Sequence, residues 1–161
     1  MKIHIVTTGG TIDKVYFDAK SQFEVGDPTI ANILREANVT IDFRVTALMR
    51  KDSLDLTDED RELIAGVVKS SECQHFLITH GTDTMLKTAE VLQSIPEKTI
   101  VLTGAMQPAS LRYSDALFNI GFAIATVQTM PAGVYVAMNG KIFDPEKATK
   151  NVEGNRFETT D

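Results

Sequence analysis

The chain has 161 residues, and folding at that length buries roughly 68–70% of the unfolded surface, which is enough for one solid core. Its formal net charge of −6 argues against a nucleic-acid partner, because that affinity is built from clustered Lys and Arg. No apolar run approaches the roughly 20 residues that span a bilayer, and the N-terminus lacks the pattern of an export signal. We therefore expect a cytoplasmic protein with a small-molecule ligand and no membrane partner.

Short β-branched apolar runs alternate with segments of helical spacing along the whole chain. Strands are predicted at residues 3–6, 39–48, 75–79, 99–103 and 133–138, the second at a sheet edge because its apolar pattern alternates. Helices are predicted at residues 28–37, 58–70, 84–94 and 114–127. This order predicts an α/β fold, a doubly wound three-layer sandwich with a mostly parallel sheet. Neither a repeat nor a linker divides the chain, so residues 1–161 are expected to form a single domain.

Three of the predicted helices begin at residues that typically cap helices. Asp27 before Pro28 predicts an N-cap with proline at the first helical position, and Thr57 with Asp60 predicts a capping box. Asp83, just before the third predicted helix, has two interpretations, a plain N-cap or a carboxylate that faces a ligand.

Ligands of such sheets bind beyond the carboxyl ends of the strands, so the loops after the strands are the informative segments. The five loops are TTGGTID, MRKDSLDLT, HGTDTM, TGAMQPAS and NGKIFDPEKATK, and we expect them to converge on one edge of the sheet. In the first loop, Gly9 and Gly10 permit a sharp turn, and Thr11 places a hydroxyl beside it. The loop lacks the spacing of a phosphate-binding motif, which leaves a nucleophile or a plain tight turn as its interpretations.

A threonine hydroxyl becomes a useful nucleophile only when an adjacent base takes its proton, and a lysine with a lowered pKa can be that base. Lys150 follows the last predicted strand closely enough to return to the sheet edge. On spacing alone, Lys14, Lys141 and Lys147 stay open as alternatives.

Five motifs resemble the asparaginase/glutaminase family in sequence and in order: TTGGTID, DSLDLTDED, HGTDTM, TGAMQP with SDALFN, and DPEKATK. The resemblance implies hydrolysis of a small side-chain amide, foremost L-asparagine to L-aspartate and ammonia, without a metal or an organic cofactor. It makes Thr11 the primary nucleophile, Thr82 the second catalytic threonine, and Lys150 the base that activates Thr82. Residue types leave open whether Thr11 attacks covalently or Thr82 directs a water.

The same resemblance assigns the contacts to the substrate. Asp83 matches the acid that holds the α-ammonium group, and Ser53 matches the serine that binds the α-carboxylate, with Asp52 beside it in the loop. The backbone carbonyl of Ala105 is expected near the leaving amide nitrogen. Two other functions stay open: a glutamine-hydrolysing subunit of the amidotransferase type, and a non-catalytic domain that binds an amino acid.

The chain departs from the family pattern in two places. The family carries a tyrosine on the mobile loop after the first motif, and Phe23 aligns with it in this chain. Tyr16 lies on the same segment, a possible lid over the site, and is the alternative source of the hydroxyl. The second departure is that the family's smaller C-terminal domain has no counterpart in the sequence. We therefore expect a homo-oligomer, a dimer or tetramer, in which another subunit closes the site and asparagine binds weakly.

Overall fold

The computed structural model describes residues 1–160, in which ten strands and four α-helices form. The strands are β1 (Lys2–Gly9), β2 (Lys14–Phe17), β3 (Gln22–Val25), β4 (Asp42–Lys51), β5 (His75–Thr79), β6 (Thr99–Thr103), β7 (Gly133–Met138), β8 (Lys141–Phe143), β9 (Ala148–Asn151) and β10 (Arg156–Thr159). The helices are α1 (Ile30–Glu36), α2 (Asp58–Ser70), α3 (Met85–Leu92) and α4 (Ala116–Thr129).

Six strands form the central sheet, in the order β4-β1-β5-β6-β7-β8. Every neighbouring pair is parallel except β7 with β8, which are joined by a tight turn at Asn139 and Gly140, both with positive φ. The chain leaves β1 toward β4 on one side and later crosses to β5 on the other. The strand order therefore reverses between β1 and β5, the position at which open sheets of this kind form a ligand crevice.

Two apolar layers cover the two faces of the sheet. On one face, α2 and α3 pack against the sheet through Ile64, Val68, Met85, Ala89 and Leu92, which contact Val6, Phe76, Ile78, Ile100 and Leu102. On the other face, α1 and α4 contribute Ile30, Leu34, Ala116, Ile120 and Ala123, which contact Ile3, Ile5, Leu77 and Val101. The predicted doubly wound sandwich with a mostly parallel sheet is confirmed.

Continuous apolar strands and one capped helix have the bounds that the sequence predicts. Residues 75–79, 99–103 and 133–138 are strands, and residues 58–70 are helix α2, with Thr57 and Asp60 forming the predicted capping box. The edge strand exists as β4, at the end of the sheet, but lies three residues later than predicted, since it runs over Asp42–Lys51 rather than 39–48.

The predicted start of the first helix is wrong. Helix α1 begins at Ile30, and Asp27 does not cap it, because the carboxylate of Asp27 pairs with Arg50 instead. The backbone N–H and the hydroxyl of Thr29 both donate to Asp13 Oδ1 at 2.9 Å, so a distant acid holds the segment before the helix.

Two small hairpins lie outside the central sheet, in segments that the sequence predicts as loops. β2 and β3 pair antiparallel with Tyr16 directly opposite Phe23, and β9 and β10 pair with Lys150 opposite Phe157. The first hairpin is the possible lid, and the second carries the candidate base. Among residues 1–160, no helix is long and apolar enough to cross a membrane.

Candidate active site

Backbone contacts at the reversal point bring four of the five loops together. Gly10, with φ +86°, lies so close to Gly81 that a Cβ at Gly10 would overlap the Gly81 backbone. A Cβ at Gly81 would come within 2.6 Å of Ser53 Cβ, and a Cβ at Gly104 would overlap the carbonyl of His80. The loops after β1, β4, β5 and β6 therefore touch through glycines that have no space for a side chain.

The fifth loop reaches this point through a lysine on β9. Lys150 Nζ donates to Thr82 Oγ1 at 2.8 Å and to Asp83 Oδ1 at 2.6 Å. The Lys150 side chain is 16% exposed and that of Asp83 is 41% exposed, so the lysine is enclosed while the carboxylate still faces solvent. The amino group of Lys150 therefore joins the Thr82 hydroxyl to the Asp83 carboxylate.

Asp83 is not a helix cap. Helix α3 begins at Met85, the residue before it makes no side-chain capping bond, and Thr84 Oγ1 instead donates to the carbonyl of Ser53 at 2.7 Å. The capping interpretation of Asp83 is therefore wrong, because this carboxylate is engaged by Lys150.

Thr11 follows directly on the contact between the two glycine turns. It opens a three-residue turn, Thr11–Asp13, in which Ile12 and Asp13 are buried. Thr11 itself is half-buried, and within residues 1–160 its hydroxyl takes part in no side-chain hydrogen bond. Backbone hydrogen bonds of the neighbouring Gly10 and Asp13 thus hold this turn, while the Thr11 hydroxyl has no side-chain partner.

Ser53 and Asp52 lie on the other side of Gly81 and differ in their partners. Ser53 is 1% exposed, and its hydroxyl has no hydrogen-bond partner within the described residues. Asp52 accepts from Lys14 Nζ at 2.9 Å and from the Leu54 N–H at 3.1 Å. Partial burial by itself would raise the pKa of Asp52, but the Leu54 N–H and the ammonium groups of Lys14 and Lys150 outweigh it and lower that pKa.

Only one of the four candidate lysines contacts a candidate catalytic threonine in the part of the chain that is described. Lys14 is engaged by Asp52, whereas Lys141 and Lys147 are exposed at the surface. Lys150 alone has its Nζ on a threonine hydroxyl of the converging loops.

Ala105 is buried in a loop that is held in place by Asp115, just before α4, and by Asn119 within α4. The carboxylate of Asp115 accepts from the N–H groups of Met106 and Gln107 at 2.9–3.1 Å, and Asn119 Nδ2 donates to the Gly104 carbonyl at 2.9 Å. Asn119 Nδ2 also donates to Asp115 at 2.9 Å. Sequence reasoning assigned no role to Asp115 or Asn119, although their spacing of four residues at the start of the predicted helix in SDALFN was the available signal.

The possible lid is a short hairpin with an exposed aromatic pair. Tyr16 and Phe23 are 52% and 44% exposed, and their ring centroids lie 5.4 Å apart in an edge-on arrangement. The base of the hairpin is fastened to the neighbouring loops, since Ser110 Oγ donates to the Lys14 carbonyl at 2.9 Å and the Gly26 N–H to the Asp13 carbonyl at 2.8 Å. Tyr16 therefore lies beside Phe23, which has no hydroxyl of its own.

His80 lies beneath the site and is completely buried. Its Nδ1 lies 2.7 Å from the Gly81 carbonyl and its Nε2 lies 2.7 Å from Thr88 Oγ1 on α3. Burial lowers the pKa of His80 to about 4, against a reference of 6.5. At neutral pH the imidazole is therefore uncharged.

This buried histidine makes the protein less stable in mild acid. His80 takes up a proton near pH 6.5 in the unfolded chain and only near 4 in the folded chain. The free energy of unfolding therefore carries no penalty from His80 above about pH 6.5 and decreases as the pH falls toward 4. We expect the free energy of unfolding to be about 2 kcal/mol lower at pH 5 than at pH 7, measured by urea denaturation. His80→Asn should flatten this difference, and equal values at the two pH values for the wild type would contradict the prediction.

The chain is similar to known proteins of one family. The family model described as asparaginase, N-terminal, matches residues 2–159. The chain therefore belongs to the asparaginase family, and the part that it matches is the N-terminal domain.

Individual relatives agree with this membership. The chain is 31% identical over 160 residues to a probable periplasmic L-asparaginase of Haemophilus influenzae, covering 92% of the chain and 46% of the relative. It is 31% identical over 166 residues to a glutaminase-asparaginase of Acinetobacter glutaminasificans, covering 92% and 49%. The solved structure of the thermostable L-asparaginase from Thermococcus kodakarensis superposes with a TM-score of 0.85 at 27% identity, covering 99% of this chain and 51% of that one. The chain thus spans about half the length of the relatives it matches.

Proposed function

We propose that this chain hydrolyses the side-chain amide of a small amino acid, with L-asparagine as the first substrate and Thr11 as the nucleophile. The observation that carries the proposal is the contact of Lys150 Nζ with both Thr82 Oγ1 and Asp83 Oδ1, next to the glycine turn that presents Thr11. Membership of the asparaginase family supports the same chemistry.

In the proposed reaction, Thr11 attacks the amide in the first step, and the Thr82–Lys150 pair activates water in the second. The Thr11 oxygen forms a bond to the amide carbon, the C=O electron pair moves to oxygen, and the hydroxyl proton passes to a base. Collapse of the tetrahedral intermediate breaks the C–N bond, and nitrogen leaves as ammonia with one added proton. Water activated by the Thr82–Lys150 pair then hydrolyses the ester on Thr11 and releases the acid.

Substrate binding is assigned to the groups that remain available around the two threonines. The buried Ser53 hydroxyl, which lacks a protein partner, is suited to donate a hydrogen bond to the α-carboxylate and so orient it. Asp83 Oδ1 contacts Lys150 and its side chain is 41% exposed, so this carboxylate can also receive the α-ammonium group. Asp52 forms an ion pair with Lys14, and we propose that this pair holds the loop that carries Ser53 beside the α-carboxylate.

The proposal is tested by measuring ammonia release from L-asparagine, L-glutamine and simple amides without an α-amino group. We expect release from asparagine, with glutamine as the second candidate because one relative is named a glutaminase-asparaginase. Binding of asparagine without release would favour the non-catalytic alternative and contradict hydrolysis. Release only from glutamine, and only with an added partner, would favour the amidotransferase subunit.

Two finer expectations accompany the function. We propose a homo-oligomer, because the exposed lid residues and the exposed face of Asp83 leave the site open on one side; light scattering that shows a monomer at working concentration would contradict it. The cytoplasmic location stays a prediction, since one relative is named periplasmic.

A further inference from the structure

The orientation of one peptide group beside the catalytic threonine is set by His80. The carbonyl of Gly81 can only accept a hydrogen bond, so the His80 Nδ1 at 2.7 Å must carry the proton. A neutral imidazole carries one N–H, and its Nε2 therefore accepts from the hydroxyl of Thr88 at 2.7 Å. Both ring nitrogens are thus paired, and the tautomer is defined by the partners.

The same peptide group presents a backbone donor on its other side. No peptide bond in the described residues is cis, and in a trans peptide the C=O and the following N–H point in opposite directions. Because the Gly81 carbonyl points at the His80 ring, the Thr82 N–H points away from it. Within residues 1–160 this N–H donates to no backbone acceptor, although Thr82 is only 6% exposed.

Close packing around Gly81 prevents the Gly81–Thr82 peptide from rotating unless neighbouring residues also move. Gly81 is enclosed between Gly10 and Ser53, and a Cβ at Gly81 would come within 2.7 Å of Ser53 Oγ. The His80 ring is in turn fixed by Thr88 on α3, with no exposed surface. The histidine is therefore a rigid link between a core helix and the loop that carries Thr82.

We propose that His80 is a positioning residue of the amide-hydrolysing site: by donating Nδ1–H to the Gly81 carbonyl, it directs the Thr82 N–H toward the oxyanion of the tetrahedral intermediate. This inference rests on the proposed function. A backbone N–H that is aimed in advance at the developing negative charge is the group that stabilises such an intermediate. His80 itself touches no reacting atom.

Two substitutions of His80 distinguish the role of Nδ1 from that of Nε2. Asn at position 80 places an amide N–H where Nδ1 lies and preserves the bond to Gly81, whereas Gln extends to the Nε2 position and reaches Thr88 instead. We expect His80→Asn to keep kcat within about threefold of wild type and His80→Gln to lose about 10²-fold, the usual order for one lost oxyanion donor. Binding of L-aspartate, a ground-state ligand, should stay unchanged in both, because the donor acts on the intermediate.

Thr88→Val serves as the matched control, since it removes the partner of Nε2 and leaves the Gly81 bond intact. A purely structural role would lower the activity of all three variants in proportion to their lost stability, and that result would overturn the inference. So would equal loss of kcat in His80→Asn and His80→Gln. If His80→Gln does not fold, a large loss of kcat in a folded His80→Asn still contradicts the inference.

An ¹⁵N NMR measurement of the wild-type imidazole gives a readout that is independent of activity. At pH 7 we expect the spectrum of the Nδ1–H tautomer. Ammonia release together with the Nε2–H tautomer would contradict this inference alone. The Nδ1–H tautomer without any ammonia release would contradict the proposed function and, with it, the catalytic part of the inference.

Discussion

Thr11→Val lowers the rate of ammonia release from asparagine by about 10³-fold or more, because the variant keeps the shape of the side chain and loses the attacking oxygen. The hydroxyl of Thr11 makes no side-chain hydrogen bond within residues 1–160, so its removal leaves no partner unsatisfied. The free energy of unfolding should therefore change by no more than about 0.5 kcal/mol. Steady-state kinetics and urea denaturation on the same preparation check both statements.

Thr40→Val is the matched control, since Thr40 is exposed and lies before β4, at the end of that strand opposite to the converging loops. It should release ammonia at the wild-type rate. Thr11→Ser, which restores an oxygen, should recover a measurable part of the activity. Unchanged release in Thr11→Val would reject Thr11 as the nucleophile and leave a water directed by Thr82 as the mechanism.

Mass spectrometry distinguishes covalent attack from water attack. In Thr82→Val, the proposed water-activating hydroxyl is missing while Thr11 is intact, so an aspartyl ester should accumulate on Thr11 after asparagine is added. A folded Thr82→Val protein that is inactive and carries no ester would support attack by a directed water.

The fold was predictable because its central strands carry their signal locally. HFLIT and TIVLT are continuous β-branched runs between polar residues, and each became a strand at the predicted positions, β5 and β6. Burial on both faces of a parallel sheet requires such runs, so the sequence pattern and the burial have the same cause. Helix α2 was equally clear, because its capping box lies within the segment itself.

The elements that escaped prediction depend on contacts between distant residues. The start of α1 is set by Asp13, which bonds Thr29 sixteen residues away. The lid hairpin β2–β3 is fastened to Ser110, ninety-six residues from Lys14. Its own residues carry no two-residue turn signal of the Asn-Gly type, so no local pattern identified it.

The candidate site shows the same division between local and distant information. The order of the five loops after the strands followed from strand and helix alternation, and the glycine contacts show that four of them touch. The partners of Asp52 and His80 did not follow, since a carboxylate or an imidazole in a loop has the same residue type whether it binds a ligand, a lysine or a backbone carbonyl. Only the fold decides between these partners.

Lys150→Met is the second substitution with a large expected effect, about 10²- to 10⁴-fold in ammonia release, the usual range for a lost acid–base group. Methionine fills a similar volume without the amino group, so Thr82 loses its donor at 2.8 Å and Asp83 loses its partner at 2.6 Å. Because the Asp83 carboxylate is partly exposed, water can replace the lysine there, and the stability should change by roughly 1 kcal/mol or less.

Lys147→Met is the matched control, since this lysine lies three residues earlier in the same segment and is exposed. It should keep wild-type kinetics. A loss of activity that is equal in the two variants would show that the charge of the segment matters rather than the contact with Thr82.

The ion pair between Lys150 and Asp83 also predicts that the effect depends on the substrate. An α-ammonium group that binds Asp83 competes with Lys150 for the same carboxylate, and Lys150 Nζ is then left with the Thr82 hydroxyl as its partner. Lys150 should therefore contribute most with amides that carry an α-amino group. We expect Lys150→Met to lower the rate on asparagine by at least about tenfold more than the rate on succinamate, which lacks that group. Equal losses on the two amides would show that the substrate does not displace Lys150 from Asp83.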